Sequence, residues 1–163
     1  MVSQSFSLFA LALMAVASPS APRATDDVAQ MRTVVDFRNV GTAMYSWFTD
    51  NDTSEGDRDD LKLSGPVDWA ECPAISFADL QPLLVPIYIG ALPENDAWGN
   101  PYEFCLERQD FSKRTYLLGI RSSGRDGSFE RPDYEPGEFA PADSDSDVVW
   151  LDGFFVRKPR SKK

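Results

Sequence analysis

Residues 96–104 read DAWGNPYEF, and how this stretch folds decides the architecture around it. Asp96 with Gly99, Asn100 and Pro101 makes a tight turn, because these residue types interrupt helices and strands and favour turn backbone. Trp98 and Tyr102 are placed to plug a core beneath that turn. From Tyr102 to Leu106 large apolar and acidic residues alternate, the pattern of a strand with one face buried. The turn is structural, and no chemistry is assigned to it.

Downstream, RTYLLGIRSS (114–123) predicts a second strand with Tyr116, Leu118 and Ile120 on one face. DVVWLDGFFVRK (147–158) offers a third strand and room for a fourth. Upstream, DDVAQMRTVVDFRNVGTAMYSWFTDND (26–52) predicts a long helix. Val28, Met31 and Val35, then Phe37, Val40, Met44, Trp47 and Phe48, recur at steps of three and four. Asp26 and Asp27 complement its N-terminus, and Asp50-Asn51-Asp52 stops it. Residues 51–71 read as a polar loop, and 76–85, SFADLQPLLV, as a short helix ended before Pro86. The expected fold is α+β, a long N-terminal helix packed on a small antiparallel sheet of three to four strands.

The chain has 163 residues, enough for one domain with its own core, and its 4 Trp, 5 Tyr and 11 Phe argue against disorder despite a net charge of −10. That charge repels nucleic acid and anionic membrane surfaces. There is no histidine, which removes the usual general base, the histidine-activated nucleophiles and nearly every zinc site. The expectation is therefore a protein that is not an enzyme. A hydrolase using paired carboxylates such as Asp57, Asp59 and Asp60 is the weakest reading, since that loop has no aromatic neighbour before Trp69.

Residues 1–22 carry no charged side chain, and Phe6–Ala17 is an apolar run of 12 followed by Ser18-Pro19. Small residues at Ala15 and Ala17 suit a signal peptidase, so residues 1–17 read as an export signal, although the segment before the apolar run lacks Lys or Arg. The run is shorter than the roughly 20 residues of a membrane-spanning helix. Residues 18–25 then form a linker, 26–156 the globular domain and 157–163 a basic tail. The expected location is periplasmic or extracellular. Cys72 and Cys105 form no Cys-x-x-Cys pair, and in an oxidising compartment one structural disulfide is the simple reading, with two buried free thiols as the alternative.

Four segments in chain order carry a resemblance. VVDFRNVGTAMYSWFTDN (34–51), LPENDAWGNPYEF (92–104), YLLGIRSSGRDG (116–127) and an acidic run ending DSDVVW (145–150) are similar to the globular domain of the G-type major pseudopilin of type II secretion systems, in the type IV pilin-like superfamily. The resemblance covers roughly residues 26–152 and implies a pilin-like fold with one calcium ion wrapped by the loop before the last strands. Position by position it assigns the Ser123 carbonyl, Asp126, Asp147 and Asp145 to that ion. Asp143 competes with the last two, because the intervening loop is longer than in the family. The chemistry agrees, since calcium takes six to eight hard oxygens from carboxylates and carbonyls. A solvated acidic loop is the competing reading. An EF-hand is excluded, because Val148 stands where its glycine is needed and Phe154 where its bidentate glutamate is needed.

The resemblance also has a limit. The family begins with a basic leader, a Gly-Phe-Thr-Leu-x-Glu-like site and about 20 apolar residues that span the membrane. SFSLFALALMAVA (5–17) is shorter and lacks that glutamate and glycine, and Pro19 and Pro22 interrupt any helix running on to residue 26. The expected function is that of a calcium-binding, pseudopilin-like structural protein of a secretion or pilus-like apparatus, with apparatus proteins or a second copy as partners. The alternative is a soluble extracytoplasmic binding module that reuses the fold without polymerising.

Overall fold

The computed structural model describes residues 23–51, 65–107 and 118–161. Helix α1, Arg23–Asn51, runs for 29 residues and ends in the Asp-Asn segment expected to stop it. After it come β1, Val67–Asp68, a single 3₁₀ turn at Trp69–Glu71, and β2, Ala74–Ile75. Helix α2, Phe77–Leu84, is capped by Ser76, whose hydroxyl accepts from the Asp79 N–H. The remaining strands are β3, Glu103–Leu106; β4, Leu118–Ser122; β5, Asp133–Tyr134; β6, Gly137–Phe139; β7, Val148–Leu151; and β8, Phe154–Pro159.

Six strands form one sheet in the order β2-β3-β4-β7-β8-β6, while β1 and β5 pair separately. All pairs are antiparallel except β6 with β8, which are parallel. The fold is α+β with a long N-terminal helix, as expected, but the expected three or four strands become six in the main sheet. The additions, β2 and β6, are two and three residues long. Segments that short hold little more than one period of alternation, too little to read as strands, so their pairing partners define them. For the same reason the polar loop expected over 51–71 contains β1 and the 3₁₀ turn, which bury Val67 and Trp69.

The sheet is covered on both faces. One side carries Phe104, Leu106, Leu118, Ile120, Val148 and Trp150 against Phe37, Val40, Met44, Trp47 and Phe48 of α1. The other carries Cys105, Val149, Leu151 and Val156 against Val67, Trp69, Cys72 and Tyr134. Burial on both sides explains why β7 reads as the continuous apolar run VVWL. The Cys72–Cys105 disulfide ties the end of the 3₁₀ turn to the middle of β3, with Cα atoms 5.7 Å apart.

The helix face differs from the expectation at its start. Val28, Met31 and Val35 are 69%, 61% and 45% exposed, whereas Gln30, Thr33 and Val34 are buried. The face that packs runs 30, 33, 34, 37, 40, 44, 47 and 48, and the step of two from Val35 to Phe37 marks where the sequence stripe changes face. The opening turn of DAWGNPYEF forms as expected, with Tyr102 buried, although Trp98 is only half-buried. Helix α1 begins inside the stretch read as a linker, and β8 runs through Pro159, so Arg157 and Lys158 lie in a strand rather than in a tail. The signal segment 1–17, Asp57, Asp59, Asp60 and Tyr116 lie outside the described residues.

Candidate cation-binding loop

β4 delivers the chain into SSGRDG at the edge of the DAWGNPYEF turn, and the turn holds it there. Asp96 Oδ1 accepts from the backbone N–H groups of Trp98 and Asn100 at 3.0 and 2.9 Å. Its other oxygen accepts from the Ser122 hydroxyl at 2.7 Å. The Asn100 amide donates to the Gly124 carbonyl at 2.7 Å. Thus Asp96 and Asn100, read from sequence as purely structural, are what positions the first half of the acidic loop.

The second half arrives from the other side. The Arg125 N–H donates to the Ser144 carbonyl at 2.8 Å. Gly124 sits at φ +68, and a Cβ there would lie 2.7 Å from the Ser144 carbonyl oxygen and 3.0 Å from that of Asp145. Only glycine combines that backbone with so close an approach. The helix closes the back of the loop, since the Gln30 amide donates to the Asp143 carbonyl at 3.1 Å. Asp143 in turn accepts from the Ser146 hydroxyl at 2.9 Å.

The expected ligands therefore sit in one neighbourhood but in different states. Ser123 is buried behind Gly124. Asp126 is exposed, and its carboxylate accepts the Ser128 N–H at 3.0 Å. Asp145 is gripped through both oxygens by the Arg125 guanidinium at 2.8 Å each. Arg125 also donates to Asp26 of α1 at 2.9 Å.

Asp147 is fully buried. One of its oxygens accepts from the Tyr134 hydroxyl at 2.8 Å and the Glu130 N–H at 3.0 Å. Its other oxygen, Oδ1, has no hydrogen-bond partner. Burial pushes the Asp147 carboxyl up from its ordinary value, against the pull of those two hydrogen bonds. Nearby, the Arg121 guanidinium lies over the rings of Phe129 and Trp69, 3.9 and 4.9 Å from their centres, and donates to the Tyr134 hydroxyl and to Glu103.

A buried carboxylate oxygen without a partner is expensive, and a hard cation is one species that removes the cost. Against it, no group of three or more carboxylate, cysteine or histidine side chains is gathered in metal-holding geometry among the described residues. Asp145 is instead paired with Arg125. Tyr134 and Arg125 were missed as site residues. The signal for Arg125 was present in its position, a cation inside a Gly-x-Asp-Gly turn, whereas nothing local points from Tyr134 to Asp147. Compared with protein families, curated proteins and solved structures, the chain finds no match.

Proposed function

We propose that this chain is a non-enzymatic, calcium-binding, pseudopilin-like structural protein that acts beside a type II secretion or pilus-like apparatus outside the cytoplasm. The observation that carries the reading is the buried, half-unpartnered carboxylate of Asp147 in a loop whose two ends meet at Gly124. The Ser123 carbonyl, Asp126, Asp145 and Asp147 would hold the ion, which supplies charge neutralisation and a fixed geometry for the loop. A long helix on a mostly antiparallel sheet, with DAWGNPYEF leading into β3, supports the pseudopilin likeness. The Cys72–Cys105 disulfide is compatible with an oxidising, exported compartment.

Calorimetric titration of the purified chain tests the calcium site. Binding that saturates at 100 times Kd stabilises by about 2.7 kcal/mol and raises Tm accordingly. No heat and no change in Tm at millimolar calcium would remove calcium from the proposal. The apparatus is tested separately, by crosslinking and affinity capture from the envelope, with co-purification of secretion components as the expected result.

One feature favours a second reading, a soluble extracytoplasmic binding module. An open groove of about 630 Å³ lies between α1 and the β7–β8 hairpin, lined by Arg38, Tyr45, Trp150, Phe154 and Phe155. Aromatic walls with one cationic and one acidic residue, Arg38 and Asp152, suit a small ligand or a peptide. Capture of an unrelated ligand blocked by Tyr45→Ala, with no secretion component recovered, would favour that reading.

A further inference from the structure

Helix α1 lies mainly over β4 and β7, while β8 and β6 follow at one end of the sheet. A strip of β8 is therefore left beside the helix rather than under it. Two cavities sit along that strip, the groove of about 630 Å³ described above and a second of about 360 Å³. Arg38 lines both. From Arg38 the helix wall runs through Thr42 and Tyr45 in one direction and through Val35 and Met31 in the other, one stripe at steps of three and four. On the strand side, Phe154 and Phe155 line the first cavity and Lys158 and Pro159 the second, so the two lie end to end. Met31, Val35, Tyr45 and Phe154 are exposed apolar or aromatic side chains along this line.

We propose that the two cavities form one docking groove for a short extended peptide segment of another protein, apolar at both ends with an acidic residue between them that pairs with Arg38. The inference deepens the binding-module reading and rests on it; calcium plays no part. From Asp27 to Tyr45 the helix wall rises roughly 27 Å, a length that about eight extended residues span. A second helix of that length, about 10 Å across, fills roughly 2,000 Å³, more than the two cavities hold, so the occupant is extended rather than helical. Its apolar ends meet Met31, Val35 and Pro159 on one side of Arg38 and Tyr45, Phe154 and Phe155 on the other.

Charge selects the centre of the segment. Arg38 makes no ion pair among the described residues, whose pairs involve Arg121, Arg125, Arg157, Lys158 and Arg160. The carboxylate lining the larger cavity, Asp152, is buried and accepts from the Leu118 N–H, so it does not neutralise Arg38. At the far end Lys158 and Arg160 share one carboxylate, Glu138, at 3.5 and 3.8 Å. Elsewhere the field of a chain with net charge −10 opposes an acidic ligand, so a preference for one is a local property of this groove.

The test selects a displayed library of random octapeptides on the full chain and measures the enriched peptides by fluorescence anisotropy. The expected result is an enriched pattern with one acidic residue flanked on both sides by apolar ones, not captured by Tyr45→Ala. Changing that acid to glutamine weakens binding about threefold, and changing it to lysine about tenfold, as suits an ion pair at an exposed arginine. In Arg38→Gln the three peptides bind alike. Arg32→Gln, on the same helix but lining neither cavity, leaves their order unchanged. All three substitutions fall on exposed residues, and a thermal melt by circular dichroism shows that each variant is folded.

Enriched peptides that lack an acidic residue, or that keep their order of affinity in Arg38→Gln, overturn the acidic occupant and leave the binding-module reading standing. Peptides captured equally by Tyr45→Ala bind outside the groove and overturn the proposal. An equal loss of preference in Arg32→Gln marks general attraction to positive charge and overturns it as well. No enrichment of any peptide overturns it too, and the module reading is then decided by the ligand capture described above.

Discussion

Gly41 sets how closely α1 approaches the sheet. A Cβ built there would stand 2.7, 2.8 and 3.0 Å from three atoms of the Trp150 ring, which is itself buried in the middle of β7. Two effects of Gly41→Ala oppose each other. Helix propensity favours alanine by roughly 1 kcal/mol, while forcing a methyl group into a packed core costs about 1–3 kcal/mol. The contacts are too short to be absorbed without moving an indole ring, so the packing cost wins. Gly41→Ala is expected to lower Tm by about 2–6 °C, measured by thermal melting followed by circular dichroism. An unchanged or raised Tm would mean that Trp150 moves freely and that the helix and sheet are not locked at this point. Nothing in the sequence flags Gly41, since a glycine inside a helical pattern looks the same whether it is tolerated or required.

At the level of elements, α1 presents two apolar stripes, and only one is buried among the described residues. Met44 is fully buried, whereas Met31 is 61% exposed beside Val28 and Val35. Met31→Lys is expected to change stability by less than about 0.5 kcal/mol, and Met44→Ala to cost about 2–5 kcal/mol, both read from urea unfolding. A large cost for Met31→Lys would place that face inside a contact and overturn this assignment. The helix was legible because its period persists over many turns. The face was misjudged in its first turns because Gln30 and Thr33 are polar yet inward, where they meet the loop and the turn through hydrogen bonds. The short strands β1, β2, β5 and β6 were illegible for a different reason, namely that each is defined by its partner across the ladder. Even so, Tyr134 and Phe139, which lie between the two halves of the acidic loop, are buried. The Asp96 turn makes a further prediction at this scale. Asp96→Ala removes an acceptor from two backbone N–H groups and one buried hydroxyl. It should cost about 1–3 kcal/mol and abolish any calcium-dependent rise in Tm. Loss of stability with the calcium response intact would show that the turn does not position the loop.

Across the whole molecule, both faces of the sheet are closed by different means, one by a long helix and the other by a layer pinned through Cys72–Cys105. The two chain segments that meet at the candidate site are legible as motifs, SSGRDG and DSDSDV, but their electrostatics are not. Which of several carboxylates Arg125 reaches, and which oxygen of Asp147 stays bare, depend on three-dimensional placement that no spacing encodes. The two layers leave one common mark that can be measured. Tyr102 is buried under α1 with its hydroxyl on Asp36, and Tyr134 is buried under the opposite face with its hydroxyl on Asp147. Burial, reinforced by the neighbouring carboxylates, raises both phenols well above their ordinary value. In the unfolded chain they ionise near pH 10. Because the folded values are higher, both groups contribute stability that is complete below about pH 10 and is lost as pH rises beyond it. An alkaline absorbance titration at the tyrosinate band should therefore show Tyr102 and Tyr134 ionising last among the described tyrosines, after Tyr88, whose hydroxyl is raised by its hydrogen bond to Asp50, together with the loss of far-ultraviolet helix signal. Tyr134→Phe should shrink that late step by about half while Asp147 loses a hydrogen bond. Reversible ionisation of every tyrosine near pH 10 with the helix signal intact would mean that neither layer seals its face of the sheet.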